Sequence, residues 1–169
     1  VKDNFDKCFA LVIADEGGFV DHPKDPGGMT NLGVTRKNWG AYLNRDVTEI
    51  EMRGLTPDAV KLFYKAMYWD KIKGDQLPAG VDYATYDLAV NSGVGRATKM
   101  LQQTAGVLVD GALGPKSMAA IKERDPKQMV DALCDMRLAF LKRLPTFDTF
   151  GKGWSRRVAE VKDKASDMA

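Results

Sequence analysis

The sequence predicts a mainly α fold with one small β-hairpin or ordered loop after the first helix. Two observations carry this. Apolar residues recur at i, i+3, i+4 and i+7 in most of the chain beyond Phe5, the signature of amphipathic helices. The interval from Gly17 to Gly33 has no such period and is dense in glycine and proline, the punctuation of turns.

Phe5, Cys8, Phe9 and Val12 mark the first helix, with Asp3 as its expected N-cap and Gly17-Gly18 as its stop. Asp25-Pro26-Gly27-Gly28 is a strong turn signal inside the aperiodic interval. Thr35 is placed to cap a helix running to about Leu43. Thr48 and Glu51 have the spacing of a capping box, and Thr56-Pro57 reads as an N-cap followed by proline at the first helical position. Val60, Phe63, Tyr64 and Met67 supply that helix's apolar stripe. Val81, Ala84, Leu88 and Asn91 define the next helix, ended by Gly93, and Ala97, Met100, Leu101 and Thr104 continue the pattern to Gly106. Pro115 opens a short helix. Asp125-Pro126 opens a long one with Met129, Leu133, Met136 and Phe140 on its stripe. A last helix carries Trp154, Val158, Val161 and Ala165.

The chain has 169 residues, 44% hydrophobic and 28% charged, which is ordinary for a folded domain and argues against disorder. One domain, or one with a small subdomain, fits this length. Lys and Arg number 25 against 23 Asp and Glu, a net charge of +2, too balanced to announce a nucleic-acid partner. One histidine, His22, and two cysteines, Cys8 and Cys134, leave too few ligands for a His- or Cys-rich metal site and no disulfide scaffold. The two cysteines are most simply thiols, with a Cys8–Cys134 disulfide as the alternative. The longest apolar run, Cys8 to Ala14, falls far short of the ~20 residues that span a bilayer. Stable membrane insertion is therefore not expected, and no leader peptide is visible at the start.

Elimination narrows the chemistry. The G-x-S-x-G elbow of many serine hydrolases is absent, as is a phosphate-binding loop. Gly93-Val94-Gly95 follows a helix rather than a strand and does not read as a dinucleotide site. Carboxylates remain. Glu16 follows Cys8 and Val12 at steps of four, so it extends the buried stripe to the C-terminal end of the first helix. Partial burial and the negative end of the helix dipole both disfavour its charged form. A carboxyl still protonated near neutral pH is what general acid catalysis requires. Gly17 and Gly18 leave room for a ligand beside it. The alternative is a solvated glutamate at a frayed helix end. Asp21, Asp25 and Thr30 lie in the loop that follows. Glycoside hydrolysis commonly uses an acid and a second carboxylate with water or sugar between them, and these residues supply those parts. The alternative is that Asp21 and Asp25 simply form turns. Trp69, Tyr83 and Tyr86 fit a core better than a sugar platform. Arg156, Arg157, Lys162 and Lys164 surround the Trp154 stripe, either as a solvated face or as an attractor of anionic wall or membrane phosphates.

Glu16-Gly17-Gly18-Phe19, then Asp21, then the run from Asp25 to Thr35 (DPGGMTNLGVT), resembles glycoside hydrolase family 108. These are lysozyme-like N-acetylmuramidases of phage endolysins and related bacterial proteins, some labelled as secretion activators. The order also resembles phage lysozymes with glutamate, eight residues, aspartate, five residues and threonine. Glu16 to Asp25 keeps the first spacing, and Thr30 comes one residue early. The run from Tyr86 to Ala97 (YDLAVNSGVGRA) is similar to the family's helix-to-helix junction. The run from Val109 to Ser117 (VDGALGPKS) is similar to the Asp-Gly-x-x-Gly-Pro signature of small peptidoglycan-binding modules, with Ser117 where threonine is more usual.

The resemblance implies a lysozyme-like catalytic part over residues 1–90 and a peptidoglycan-binding-like helical part over residues 91–169, packed into the same globule. It implies cleavage of the β-1,4 bond between N-acetylmuramic acid and N-acetylglucosamine without metal or cofactor. Glu16 would be the general acid. Asp25 and Thr30 would position or activate the attacking water, with Asp21 as an alternative second carboxylate or a substrate contact. Asp87 and Asn91, four apart on one helix face, would line the sugar cleft or brace the catalytic loop. Otherwise Asp87 bonds nearby backbone and Asn91 helps end its helix. The implied setting is a monomer made in the bacterial host cytoplasm, acting on periplasmic peptidoglycan strands and exported with a separate holin-type pore. A non-catalytic wall-binding or secretion-assisting protein is the alternative, and a lytic transglycosylase is a third option.

Overall fold

Helix α1 (Phe5–Ala14) forms where the periodicity places it, and Phe5, Cys8, Phe9 and Val12 are all buried. The structure, a computed structural model, describes residues 1–21 and 28–169. Asp3 does not cap α1: its φ of 74° is left-handed, and the helix begins at Phe5. The helix also stops before Gly17, at Ala14. Described residues form a mainly α fold with one short antiparallel hairpin after the first helix, as the sequence predicts. They fall into two compact units, Asp6–Met67 and Val1–Phe5 with Tyr68–Ala169.

In the first unit, β1 (Thr30–Asn31) pairs with β2 (Val34–Thr35), Thr30 opposite Thr35 and Asn31 opposite Val34. Buried Asn31 donates its amide to the Met52 carbonyl at 2.8 Å, which ties the hairpin to the end of α3 (Glu49–Arg53). The three threonine caps stand as expected. Thr35 accepts from the Asn38 N–H at 3.0 Å to start α2 (Arg36–Leu43). Thr48 accepts from Glu51 at 3.1 Å to start α3. Thr56 accepts from Ala59 at 3.2 Å to start α4 (Pro57–Tyr64), with Pro57 at its first position. Each cap satisfies an N–H that the helix itself cannot. Aromatic rings fill the space between: Phe9 on Tyr64 at 5.6 Å, Tyr64 on Phe63 at 5.8 Å, Phe63 on Trp39 at 5.9 Å.

Beyond α4 the backbone widens into a π turn over Lys65–Trp69 and later tightens into a 3₁₀ turn over Gly74–Gln76. Periodicity gave no sign of either. Trp69 is fully buried, its indole lies flat on Gly74 where no β-carbon would fit, and its N–H donates to Asp75 at 2.9 Å. Helix α5 (Val81–Ser92) is buried on every side from Val81 to Ala89. It packs against α6 (Val94–Ala105), α8 (Pro126–Lys142) and α9 (Phe147–Met168). The units divide between Met67 and Tyr68. Gly106, at φ 75°, ends α6 in the left-handed region. Helix α7 (Pro115–Glu123) follows, and Asp125 caps α8 by accepting from Lys127 and Gln128.

Cys8 and Cys134 are buried thiols. Burial pushes the Cys134 thiol up to about 11, so at pH 8 it carries almost no thiolate, the reactive form. Iodoacetamide is expected to spare Cys134 in the native protein and to label it on unfolding in guanidinium. Rapid native labelling, read by peptide mass spectrometry, would contradict this.

Candidate active site

Glu16 stands just past α1. The N–H groups of Asp15 and Glu16 close tight turns onto the carbonyls of Val12 and Ile13, at 3.2 and 3.1 Å. These turns deliver Glu16, half-buried, to the β1–β2 hairpin. The hairpin turn is Leu32-Gly33, both at positive φ (52° and 74°), the signature of a type I′ turn. A β-carbon on Gly33 would lie 2.5 Å from the Glu16 Oε2 and 2.6 Å from the Tyr64 hydroxyl. Gly33 thus meets two demands at once, a left-handed backbone and space for a carboxyl and a phenol.

The surrounding backbone holds this arrangement. Tyr64, buried in α4, donates its hydroxyl to the Leu32 carbonyl at 2.6 Å. The Leu32 N–H donates to the Gly17 carbonyl at 2.9 Å. Val20 and Thr30 exchange both backbone hydrogen bonds, at 2.8 and 2.7 Å. The segment that leaves Glu16 is thereby laced back onto the hairpin that receives its side chain. Phe19, in this segment, carries the Arg53 guanidinium over its ring at 4.1 Å, a cation–π contact.

Gly33→Ala is expected to cost about 1–2 kcal/mol through its left-handed backbone. The new methyl must also displace the Glu16 carboxyl or the Tyr64 hydroxyl, so the thermal midpoint should fall by more than the backbone conformation alone costs. Thermal unfolding checks this; an unchanged midpoint would contradict the geometry.

The sequence candidates are placed as follows. Glu16 and Thr30 both belong to the hairpin region, Thr30 half-buried in β1 opposite Thr35. Asp21 is exposed, one residue past the Val20–Thr30 pair. Asp25 and His22 lie outside the described residues. Asn91 is exposed in the last turn of α5. Asp87 corrects the expectation of a sugar contact: it has no exposed surface. Its carboxylate accepts from Arg137 Nη1 at 2.6 Å on one oxygen and from Arg157 Nη2 at 2.5 Å on the other. It does not bond backbone either; it is the centre of a buried ion cluster. Tyr83, Tyr86 and Trp69 are core residues.

Sequence reasoning missed Gly33 and Tyr64 as partners of Glu16. Nothing in the sequence motif around Gly33 assigns it a role, and Tyr64 falls on an apolar stripe like any core ring. It also missed Gln102, which builds the Asp110–Pro115 loop. Gln102 is fully buried. Its amide donates to Asp110 Oδ1 and the Ala112 carbonyl, both at 2.9 Å, and to Ser117 Oγ at 3.2 Å. Its carbonyl accepts from the Gly111 N–H at 2.9 Å. The Ala112 N–H and the Gln102 amide hold the Asp110 carboxyl below its ordinary range.

Among the described residues no group of three or more His, Cys, Asp or Glu is arranged to hold a metal. No described helix is long and apolar enough to cross a membrane.

Residues 9–93 match the family described as Glycosyl hydrolase 108. Residues 96–159 match the family described as Predicted Peptidoglycan domain. The solved structure of SagA from Brucella abortus is similar over 99% of this chain and 97% of that one, with a TM-score of 0.88 and 48% sequence identity. No curated protein matches the chain.

Proposed function

Because the chain belongs to the glycosyl hydrolase 108 family, we propose that it hydrolyses the β-1,4 bond between N-acetylmuramic acid and N-acetylglucosamine in peptidoglycan, with Glu16 as the general acid. The observation that carries this is the seat of Glu16. Its carboxyl is half-buried beyond a helix C-terminus and packed against the Gly33 turn and the Tyr64 hydroxyl.

In the proposed reaction, Glu16 gives its proton to the glycosidic oxygen as the C–O bond to the muramic acid anomeric carbon breaks. Water adds to that carbon, and a second carboxylate takes the water's proton. Asp25 is the proposed second carboxylate, with Thr30 orienting the water; Asp21 is the alternative. Asn91 is a proposed sugar contact. The proposed setting is lysis of a bacterial host by a phage or prophage enzyme that reaches the periplasm through a separate holin-type pore and acts as a monomer.

A second reading has one observation behind it: the peptidoglycan domain over residues 96–159 would serve a non-catalytic wall binder equally well. Turbidity of outer-membrane-stripped Gram-negative cells, with mass spectrometry of the released fragments, separates the readings. Lysis with reducing muramic acid ends is expected. Anhydro ends would indicate a transglycosylase, and a folded protein that sediments with walls without cutting them would be a binder.

A further inference from the structure

The only side chain between Glu16 and Val20 is that of Phe19. Gly17 and Gly18 carry none, and nothing lies within 4 Å of where a β-carbon on either would be. Glycine leaves the backbone freer than any other residue, so this stretch does not hold its own shape. Its backbone is tied at both ends. The Leu32 N–H donates to the Gly17 carbonyl at 2.9 Å, and Val20 and Thr30 exchange backbone hydrogen bonds at 2.8 and 2.7 Å. Between those ties stands Phe19, half-buried, with the Arg53 guanidinium 4.1 Å from its ring centroid.

Arg53 is the exposed last residue of α3. Its guanidinium also meets Glu49, one turn back on the same helix, at 3.4 Å, an exposed pair of little worth. The same end of α3 holds the hairpin by a separate route. The Asn31 amide donates to the Met52 carbonyl at 2.8 Å and to the Arg53 carbonyl at 3.4 Å. The end of α3 thus grips two stretches at once, β1 through backbone carbonyls and the stretch after Glu16 through one side chain. Thr30 stands one residue before the first grip, and Glu16 stands three before the second.

We propose that Arg53 is a positioning residue for the hydrolysis: its guanidinium, seated on Phe19, fixes the glycine-rich stretch that leaves Glu16 and so sets where the Glu16 carboxyl meets the sugar. The proposal rests on the hydrolase reading above and adds to it a residue that acts only through Phe19. A cation on an aromatic face suits this task. It holds the ring without burying either partner, so the stretch stays open to solvent on its other side while its backbone is kept in place.

The test is Arg53→Ala, which deletes the guanidinium and leaves the carbonyl that Asn31 bonds. Hydrogen exchange at the Val20 amide is expected to quicken about two- to five-fold, the worth of an exposed cation–π contact, with the thermal midpoint near wild type. On short soluble peptidoglycan oligomers, kcat should fall by up to the same factor while KM holds. Arg53→Lys, which still places a cation over the ring, should recover most of both. Glu49→Gln should change neither. In a Phe19→Leu background Arg53→Ala should add nothing, because the two residues form one contact. Unchanged exchange at Val20 would overturn the proposal, as would faster exchange with wild-type kcat, or equal effects of Arg53→Ala with and without the Phe19 ring. A wild type that cuts no oligomer would sink the hydrolase reading, and the exchange rates would still decide whether Arg53 holds the stretch.

Discussion

A Glu16→Gln variant is expected to keep the wild-type fold and to lose about 10²–10⁴-fold in hydrolysis rate, the usual worth of a positioned general acid. The amide is nearly isosteric with the protonated carboxyl, so the close packing against Gly33 and Tyr64 survives the change. What is lost is a transferable proton. Circular dichroism and the thermal midpoint should match wild type, and lysis of stripped cells should nearly vanish. Retained lysis would remove Glu16 from the mechanism. The wild-type rate should fall at alkaline pH for the same reason. A general acid works in its protonated form, and raising the pH through its pKa empties that form.

Asp87→Asn is expected to produce the largest loss of stability. Asp87 is wholly buried and Arg137 nearly so, while Arg157 is mostly buried. Removing the carboxylate's charge takes from the buried Arg137 guanidinium its counter-ion. Breaking a buried pair in this way costs about 3–5 kcal/mol. At ~2–4 °C per kcal/mol for a chain of this size, the unfolding midpoint should drop by about 10 °C. Activity per folded molecule, measured well below that midpoint, should hardly change. The opposite pattern, a normal midpoint with lost activity, would restore Asp87 to the substrate site.

The sequence carried the local chemistry well and the distant pairings poorly. Thr35, Thr48 and Thr56 declared three helix starts because a cap and its N–H lie three residues apart, within one readable window. Glu16 was legible only in part: its step of four from Val12 pointed to burial, but α1 ends at Ala14 and two tight turns, rather than the helix, carry it inward. Tyr64 was not, because its hydroxyl's partner, Leu32, is 32 residues away. A phenol on an apolar stripe looks like any other ring. Asp87 failed for the same reason on a larger scale, its two arginines being 50 and 70 residues distant. A carboxylate on a helix then looks like a surface group until the fold brings cations to it. The π turn at Lys65–Trp69 left no pattern in the apolar spacing; the Trp69 indole at its end closes on Gly74, where no β-carbon would fit.

The Asp87 cluster also bears on how this protein can be divided. Asp87 lies within the span of the first family match, whereas Arg137 and Arg157 lie within the second. A chain truncated after Gly93 would contain the whole of the first match and still strand a buried carboxylate without either cation. It would also strip α5, buried on every side from Val81 to Ala89, of the helices that cover it. The boundary between the two matches is thus a seam in the text of the gene and not a joint in the molecule. Exchanging one half for a homologue's is expected to succeed only when the donor brings arginines that reach the same carboxylate.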